Sequence, residues 1–355
     1  MSSKGFYIAM DTHVSFTELA VVDKSGRVLK RDRCHTRIPE LVALLEQLGQ
    51  PRFLTFEEGP LADWLARELN PYVDELTVCE PRRNRLIAKD GDKDDAIDAE
   101  KLAQLLRGGY LRKVHQSESL EQSLIKQHVG FYHDRVRERV RQGHQIVSYL
   151  RRHGVFASIS RVADSDERRF LWSKLPRRKL LRSNLDRMWR EYEMQCDHEG
   201  EVRCELIDLA RRITPVRRFT KVPGFAWIRS ITFYAYIDTP WRFASKSALW
   251  KYCGIGLTRH RSGNGPMKTR LDYRGHRRLK DVLLGAARSA VEQGADNPYA
   301  DKYQYWIQEE GMYPSTARRN VARCLAVTLW SMWKTGNKYD PAQVRGVGLP
   351  VTRPS

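Results

Sequence analysis

With 355 residues, 41% of them hydrophobic, the chain has the length for two domains and enough apolar content for a sizeable core, which excludes a disordered polymer. It sets 62 Lys and Arg against 43 Asp and Glu, a formal net charge of +19, which disfavours basic partners and favours polyanions, nucleic acid above all. No N-terminal apolar stretch resembles a signal peptide and no run approaches the ~20 apolar residues of a spanning helix, so no membrane partner is expected and a cytoplasmic location, with action at the nucleoid, is.

Along the chain, Phe6 to Met10, Thr17 to Val22 and Val28 to Arg33 read as three antiparallel strands, with Asp23-Lys24-Ser25-Gly26 as a tight turn. Pro39 to Leu48 has helical spacing, Arg52 to Phe56 is a short buried strand, Leu61 to Leu69 a helix and Glu75 to Cys79 another strand. The order β-β-β-α-β-α-β is that of the RNase H-like fold, and on physical grounds alone it gives a mixed α/β sheet. A helix from about Asp94 to Arg107 closes at Gly108-Gly109. From about Ser119 to Thr214 the chain reads as basic helix, coiled-coil-like, broken near Gly154 and Pro176, with Val129, Val136, Val140, Ile146, Val147 and Leu150 as an apolar seam. The six cysteines show no CxxC spacing, which argues against a zinc ribbon or a disulfide framework. Cys196 and Cys204 flank Asp197, His198 and Glu199, a stretch that reads as a polar turn between two helices. Beyond Pro215 aromatics and glycines return, and a mostly α C-terminal domain is expected. The expected boundaries are 1–115 for the α/β domain, 116–214 for the basic helical region, 215–341 for the C-terminal domain and 342–355 for a frayed tail.

Asp11 ends the first strand and Glu57-Glu58 end the fourth, positions that meet at the carboxyl edge of such a sheet. Strand alternation lets only one of the two glutamates face Asp11, and Glu57, the last residue of the apolar run, is preferred. Asp95 and Asp98 are three apart on the next helix and share a face that Ala99, Leu102 and Leu106 extend. Carboxylates converging at a packed face repel one another, and Mg²⁺ would offset that cost. Helix capping would account for Asp94 or Asp95 but not for an Asp98 on the inner face. The acidic run also permits Asp92 with Asp95.

Val222-Pro223-Gly224-Phe225 reads either as a helix-hairpin-helix turn, whose backbone amides can hold a phosphate, or as a plain interhelical turn. Ser262 sits in the glycine-rich stretch Tyr252 to Gly265, with Arg259, Arg261, Lys268, Arg270, Arg277 and Arg278 near it in sequence as candidate nucleic-acid contacts. A serine hydroxyl needs activation to act as a nucleophile, and flanking cations can stabilise charge on a phosphate under attack. On the residues alone, a phosphate contact or a turn is the commoner role for such a serine.

Ala9-Met10-Asp11-Thr12-His13, Phe56-Glu57-Glu58-Gly59 and Lys93 to Ala103 in front, with Val222 to Phe225, Tyr252 to Ile255, Arg261-Ser262-Gly263 and Arg274-Gly275-His276 behind, give the chain a family likeness. It resembles the transposases of the insertion-sequence 110 group, including its 1111 branch, the bridge-RNA-guided recombinases. The resemblance implies a RuvC-like domain whose acids, Asp11, Glu57, Asp95 and Asp98, bind Mg²⁺, and a nucleophilic Ser262 that links covalently to cleaved DNA. It also implies double-stranded DNA (element ends and target) and a noncoding bridge RNA as partners, and a homo-oligomer built as a dimer of dimers. The glutamate motif reads Glu57-Glu58-Gly59-Pro60 where the family commonly shows Glu-Ala-Thr-Gly. Two rival readings stay open here: a junction-type nuclease using the acids with water, for which Ser262 is dispensable, and a binding protein that cleaves in no metal.

Overall fold

The structure is a computed structural model, and it describes residues 5–81, 95–117, 119–261, 267–272, 274–293 and 297–345. The chain clusters into two compact units, residues 1–123 and 124–355.

The first unit is a five-stranded sheet built from β1 (Phe6–Thr12), β2 (Phe16–Val22), β3 (Val28–His35), β4 (Arg52–Glu57) and β5 (Glu75–Cys79), in the order β3-β2-β1-β4-β5. Strands β1 to β3 form an antiparallel meander. Its second turn closes on Asp23, whose Oδ1 accepts from the backbone nitrogens of Ser25 and Arg27 at 2.8 and 3.0 Å, while Gly26 takes the positive φ of 92° that a side chain would resist. β4 then pairs parallel to β1, and β5 parallel to β4. A parallel pair needs a crossover, and helix α1 (Ile38–Glu46) supplies the one into β4, as α2 (Ala62–Leu69) supplies the one into β5.

Alternation along the strands sorts the sheet into two faces. Ile8, Met10, Leu19, Val21, Leu54 and Phe56 pack with Leu41 and Leu45 of α1 and Leu65 and Leu69 of α2. On the other face Ala9 and Val22 meet Leu102 and Ala103 of helix α3 (Asp95–Arg107). Ala9 and Ala20 are fully buried, and their small side chains let α3 lie close to the strands. Each fully buried leucine in these layers contributes about 2 kcal/mol.

The second unit is mostly helical: α4 (Leu120–Arg151, whose first turn belongs to the first unit), α5 (Ile159–Ala163), α6 (Ser165–Ser173), α7 (Lys179–Arg212), α8 (Thr214–Phe219), α9 (Trp227–Ile237), α10 (Lys246–Tyr252), α11 (Arg277–Glu292), α12 (Pro298–Gln308), α13 (Pro314–Thr335) and α14 (Pro341–Arg345). Helices α4 and α7 run antiparallel, with Arg139 pairing with Glu199 and the Tyr149 hydroxyl donating to the Leu181 carbonyl. The expected breaks near Gly154 and Pro176 both occur. The expected turn at Cys196 to Cys204 does not, because these residues lie inside the unbroken α7. Trp189 and Tyr192 before this stretch, Val202 within it and Leu206 after it are buried, so packing on both sides carries the helix through Gly200. The core around Phe219, Phe233, Leu283 and Leu325 joins α8, α9, α11 and α13.

One element was not expected. Leu257–His260 (β6) and Lys268–Leu271 (β7) pair as a two-stranded antiparallel ribbon between α10 and α11. Its base is fastened by backbone: Asp272 N donates to Gly256 O at 3.0 Å and His276 N to Tyr252 O at 2.7 Å. There Gly254, at φ 69°, meets Gly275 so closely that a Cβ on Gly275 would lie 2.2 Å from Gly254 Cα and 2.5 Å from Lys251 O. Both obstacles are main chain and cannot swing away. Gly275→Ala is therefore expected to lower the unfolding free energy by ~3 kcal/mol, read as an earlier urea midpoint at unchanged m-value.

Candidate active site and nucleic-acid interface

The parallel register of β1 with β4 runs from Phe6 opposite Arg52 to Met10 opposite Phe56, so the next pair at the carboxyl edge is Asp11 beside Glu57. Alternation assigns both to the face that carries Ala9 and Thr55, which is the α3 face and not the face packed by α1 and α2. The Asp11 side chain is 31% exposed and Glu57 is half-buried, while Glu58 is exposed. Helix α3 runs antiparallel to β1. Its C-terminal turns reach the β2–β3 turn at the opposite edge, where Gln104 Nε2 donates to Gly26 O at 2.7 Å and Arg107 Nη1 to Lys24 O at 3.3 Å. The N-terminal turn of α3, with Asp95 and Asp98, therefore lies toward the edge that holds Asp11 and Glu57.

Asp98 differs from expectation: it is exposed, whereas Ala99, Leu102 and Ala103 are buried. At 100° per residue, position 98 stands about a quarter turn off the centre of the buried stripe, while position 95 falls close to it. Only the backbone of Asp95 is described, and Asp92 and Asp94 lie outside the described residues. Among the described residues no group of three metal-ligating side chains is gathered. Asp11 and Glu57 nevertheless offer hard carboxylate oxygens at an edge open to solvent, a donor chemistry that suits Mg²⁺.

Two neighbours of Asp11 were not singled out from sequence. His13 Nε2 stands 3.4 Å from Asp11 Oδ2 and its ring packs on Phe16, with ring centres 4.6 Å apart. The i, i+2 spacing of Asp11 and His13 was a legible signal for this. Glu18 is the antiparallel partner of Asp11, and the repulsion of two acids placed opposite one another is relieved by Arg33, whose Nε lies 3.4 Å from Glu18 Oε1.

In the second unit, Ser262 lies outside the described residues, in the segment joining β6 to β7. On the strands that bracket it, Arg259 is registered opposite Thr269, Lys268 opposite His260 and Arg270 opposite Thr258. Arg261, Arg270 and Arg277 are exposed. Arg278 is engaged inside the unit, where its guanidinium pairs with Asp134 and donates to the Tyr236 hydroxyl. In the Val222 to Phe225 turn Gly224, at φ 80°, packs against Ala286 O, its N–H donates to Gln293 Oε1 at 3.2 Å, and Phe225 N donates to Val222 O. Both amides of that turn are thus used internally.

Two models of known families match the chain. A family model described as a transposase, of the DEDD type of insertion sequence 110, matches residues 8–154. A second, described as the transposase IS116/IS110/IS902 family, matches residues 216–304. The chain belongs to the IS110 family of transposases. No curated protein matches it. The first unit is accordingly an RNase H-like DEDD domain, the protein is an enzyme that cleaves and rejoins DNA, and DNA is its partner. Among the described residues no helix is long and apolar enough to cross a membrane.

Near the base of the ribbon, the transposase holds two half-buried histidines. His276 caps α11, its Nδ1 accepting from Leu279 N at 3.3 Å, and its ring lies against Tyr236 with centres 4.2 Å apart. Burial, then the charge of Arg278 nearby, pushes its pKa down to about 4. His133, bonded through Nε2 to Thr232 Oγ1 at 3.0 Å, is pushed down to about 4 by the same two causes. Below the ordinary histidine pKa of ~6.5 the unfolded chain binds protons that these folded sites refuse. Stability is therefore fully present above pH ~6.5 and is lost progressively as pH falls toward 4. His276→Asn keeps a capping acceptor and removes one titration, so its thermal midpoint should fall less steeply than the wild type's across that window.

Proposed function

We propose that this transposase is a bridge-RNA-guided recombinase that cleaves DNA through Ser262, with Asp11, Glu57, Asp95 and Asp98 holding Mg²⁺. The observation that carries the reading is the registered adjacency of Asp11 and Glu57 on neighbouring parallel strands, on the face toward which the N-terminal turn of α3 is directed. Two hard carboxylates side by side at an open strand edge are a donor set that suits Mg²⁺, and the bound cation would neutralise charge developing on a DNA phosphate.

In this reading the Ser262 Oγ forms a bond to phosphorus as the bond to one deoxyribose oxygen breaks and a strand end departs. The serine proton passes to solvent or to the departing oxygen. A hydroxyl of the exchange strand then displaces Oγ and restores a phosphodiester, so each bond broken is matched by one formed and no external energy source is needed. The basic residues Arg259, Arg261, Lys268, Arg270 and Arg277 would hold phosphates nearby, a role that positions but does not specify. Arg278 would act from beneath, by bracing Tyr236. The protein acts as a homo-oligomer, a dimer of dimers, in which the acids of one copy meet the serine of another, and sequence choice is left to RNA paired with donor and target.

The test is a denaturing gel of purified protein with element-end DNA, Mg²⁺ and RNA transcribed from the element's flanks. A protein–DNA adduct is expected, and Ser262→Ala should abolish it while sparing DNA binding. Metal-dependent nicks with no adduct would instead make water the nucleophile. Asp11→Asn should lose strand cleavage by at least about a thousandfold in any divalent metal, equivalent to several kcal/mol of charge stabilisation. Full activity of that variant in chelator would remove the metal role.

A further inference from the structure

Residues 155–215 are matched by neither family model. The first half of this stretch closes the end of the α4–α7 hairpin. Val155, Val162, Leu171, Leu175 and Leu181 give it a core of its own, so its surface is held in a fixed arrangement. Most acids around it are engaged, Asp166 standing exposed beside them. Glu167 pairs with Arg161, Glu193 with Arg168, and the Asp164 carboxylate caps α6 by accepting from the nitrogens of Asp166 and Glu167.

A set of exposed cations remains. Lys174, Arg177, Arg178 and Lys179 crowd the start of α7, and among the described residues none of them makes an ion pair. The Tyr149–Leu181 hydrogen bond brings the end of α4, with exposed Arg151 and Arg152, beside them. Local stability does not explain this placement. Arg178 is the N-cap of α7 and Lys179 its first residue, where the helix dipole disfavours positive charge and a small polar or acidic cap would be stabilising. An anionic partner does explain it.

Two aromatic rings of the same segment are exposed. Phe156 is 72% exposed and Phe170 49% exposed, and the Phe170 ring has Lys174 Nζ 4.4 Å from its centre. Cations alone suffice to hold a duplex backbone. Rings that stand in water among cations fit a polyanion whose bases are free to stack. Transposon DNA reaches the enzyme as a duplex, with its base faces already stacked. RNA presents unpaired bases in loops, flanked by the phosphates of its stems. We propose that the tip of the α4–α7 hairpin is a docking surface for an unpaired loop of RNA, with the cations at the start of α7 on its phosphates and Phe156 and Phe170 against its bases. This rests on the reading that an RNA partners the transposase.

The experiment titrates the full-length protein, over a series of salt concentrations, with a short RNA hairpin carrying an unpaired loop, with the same stem as a blunt RNA duplex, and with duplex DNA of equal length. Wild type should prefer the looped RNA. The variant R177Q/R178Q/K179Q should bind it at least about tenfold more weakly, with the slope of log affinity against log salt reduced by about two. F156A/F170A should lose at least about fivefold of the preference for the loop at unchanged slope. Duplex DNA affinity and melting temperature should stay at wild-type values in both. Equal losses on duplex DNA would overturn the proposal in favour of a general polyanion surface. Variants that keep wild-type affinity for the loop would overturn this surface while leaving the RNA reading intact, and a wild type with no preference for the loop would overturn both.

Discussion

Parallel pairing of β1 with β4 is the constraint on which the first unit depends. Two strands can run side by side in the same direction only if the chain makes a long return between them, and residues 13 to 51 are that return: a meander of two strands, then helix α1. The register that results sets two carboxylates next to each other at an open edge. Folding alone gains nothing from that. Where α3 packs, the β1 and β2 positions of this face hold small or apolar residues, Ala9, Ala20 and Val22. The same pairing that builds the core thus ends, one residue later, in two neighbouring carboxylates at the open edge of the DEDD domain.

The second unit solves a different problem, that of presenting a short basic ribbon from a helical core. Two strands of four residues have too little apolar surface to hold themselves in place. Their position is borrowed from α10 and α11 through main-chain bonds and the Gly254–Gly275 contact, while Arg323 Nε donates to Ile255 O at 2.8 Å from the far side. Around that base lie the two histidines and the Arg278–Asp134–Tyr236 link, so the ribbon rises from packed residues of the helical core.

Much of this was legible in the amino-acid order. The alternation of Thr17 to Val22, the Asp23 turn and the apolar run ending at Glu57 are local signals, and the five strands and α3 fall where those signals put them. Asp11 and Glu57 were legible because a strand end is a local property and the carboxyl edge is a property of the fold. The exposure of Asp98 was not, since it depends on the rotation of α3 against the sheet. The ribbon was missed because Leu257 to His260 has almost no apolar alternation, its pairing being secured by backbone bonds that leave no periodicity. The long α7 was missed at Cys196 to Gly200 because a polar, glycine-containing stretch scores as a turn when the apolar residues on both sides are not weighed together.

The glycine contact at the foot of the ribbon also bears on how such enzymes can change. Position 275 cannot accept a side chain without moving main chain, and position 254 holds a φ of 69° that side chains rarely adopt, so both resist substitution. Arg270 and Met267, by contrast, stand exposed on or beside strands held through main-chain hydrogen bonds, which any residue but proline can provide. Heritable variation is thereby channelled into the outward positions of the ribbon, and a lineage can retune what the ribbon touches without reopening the question of where it stands.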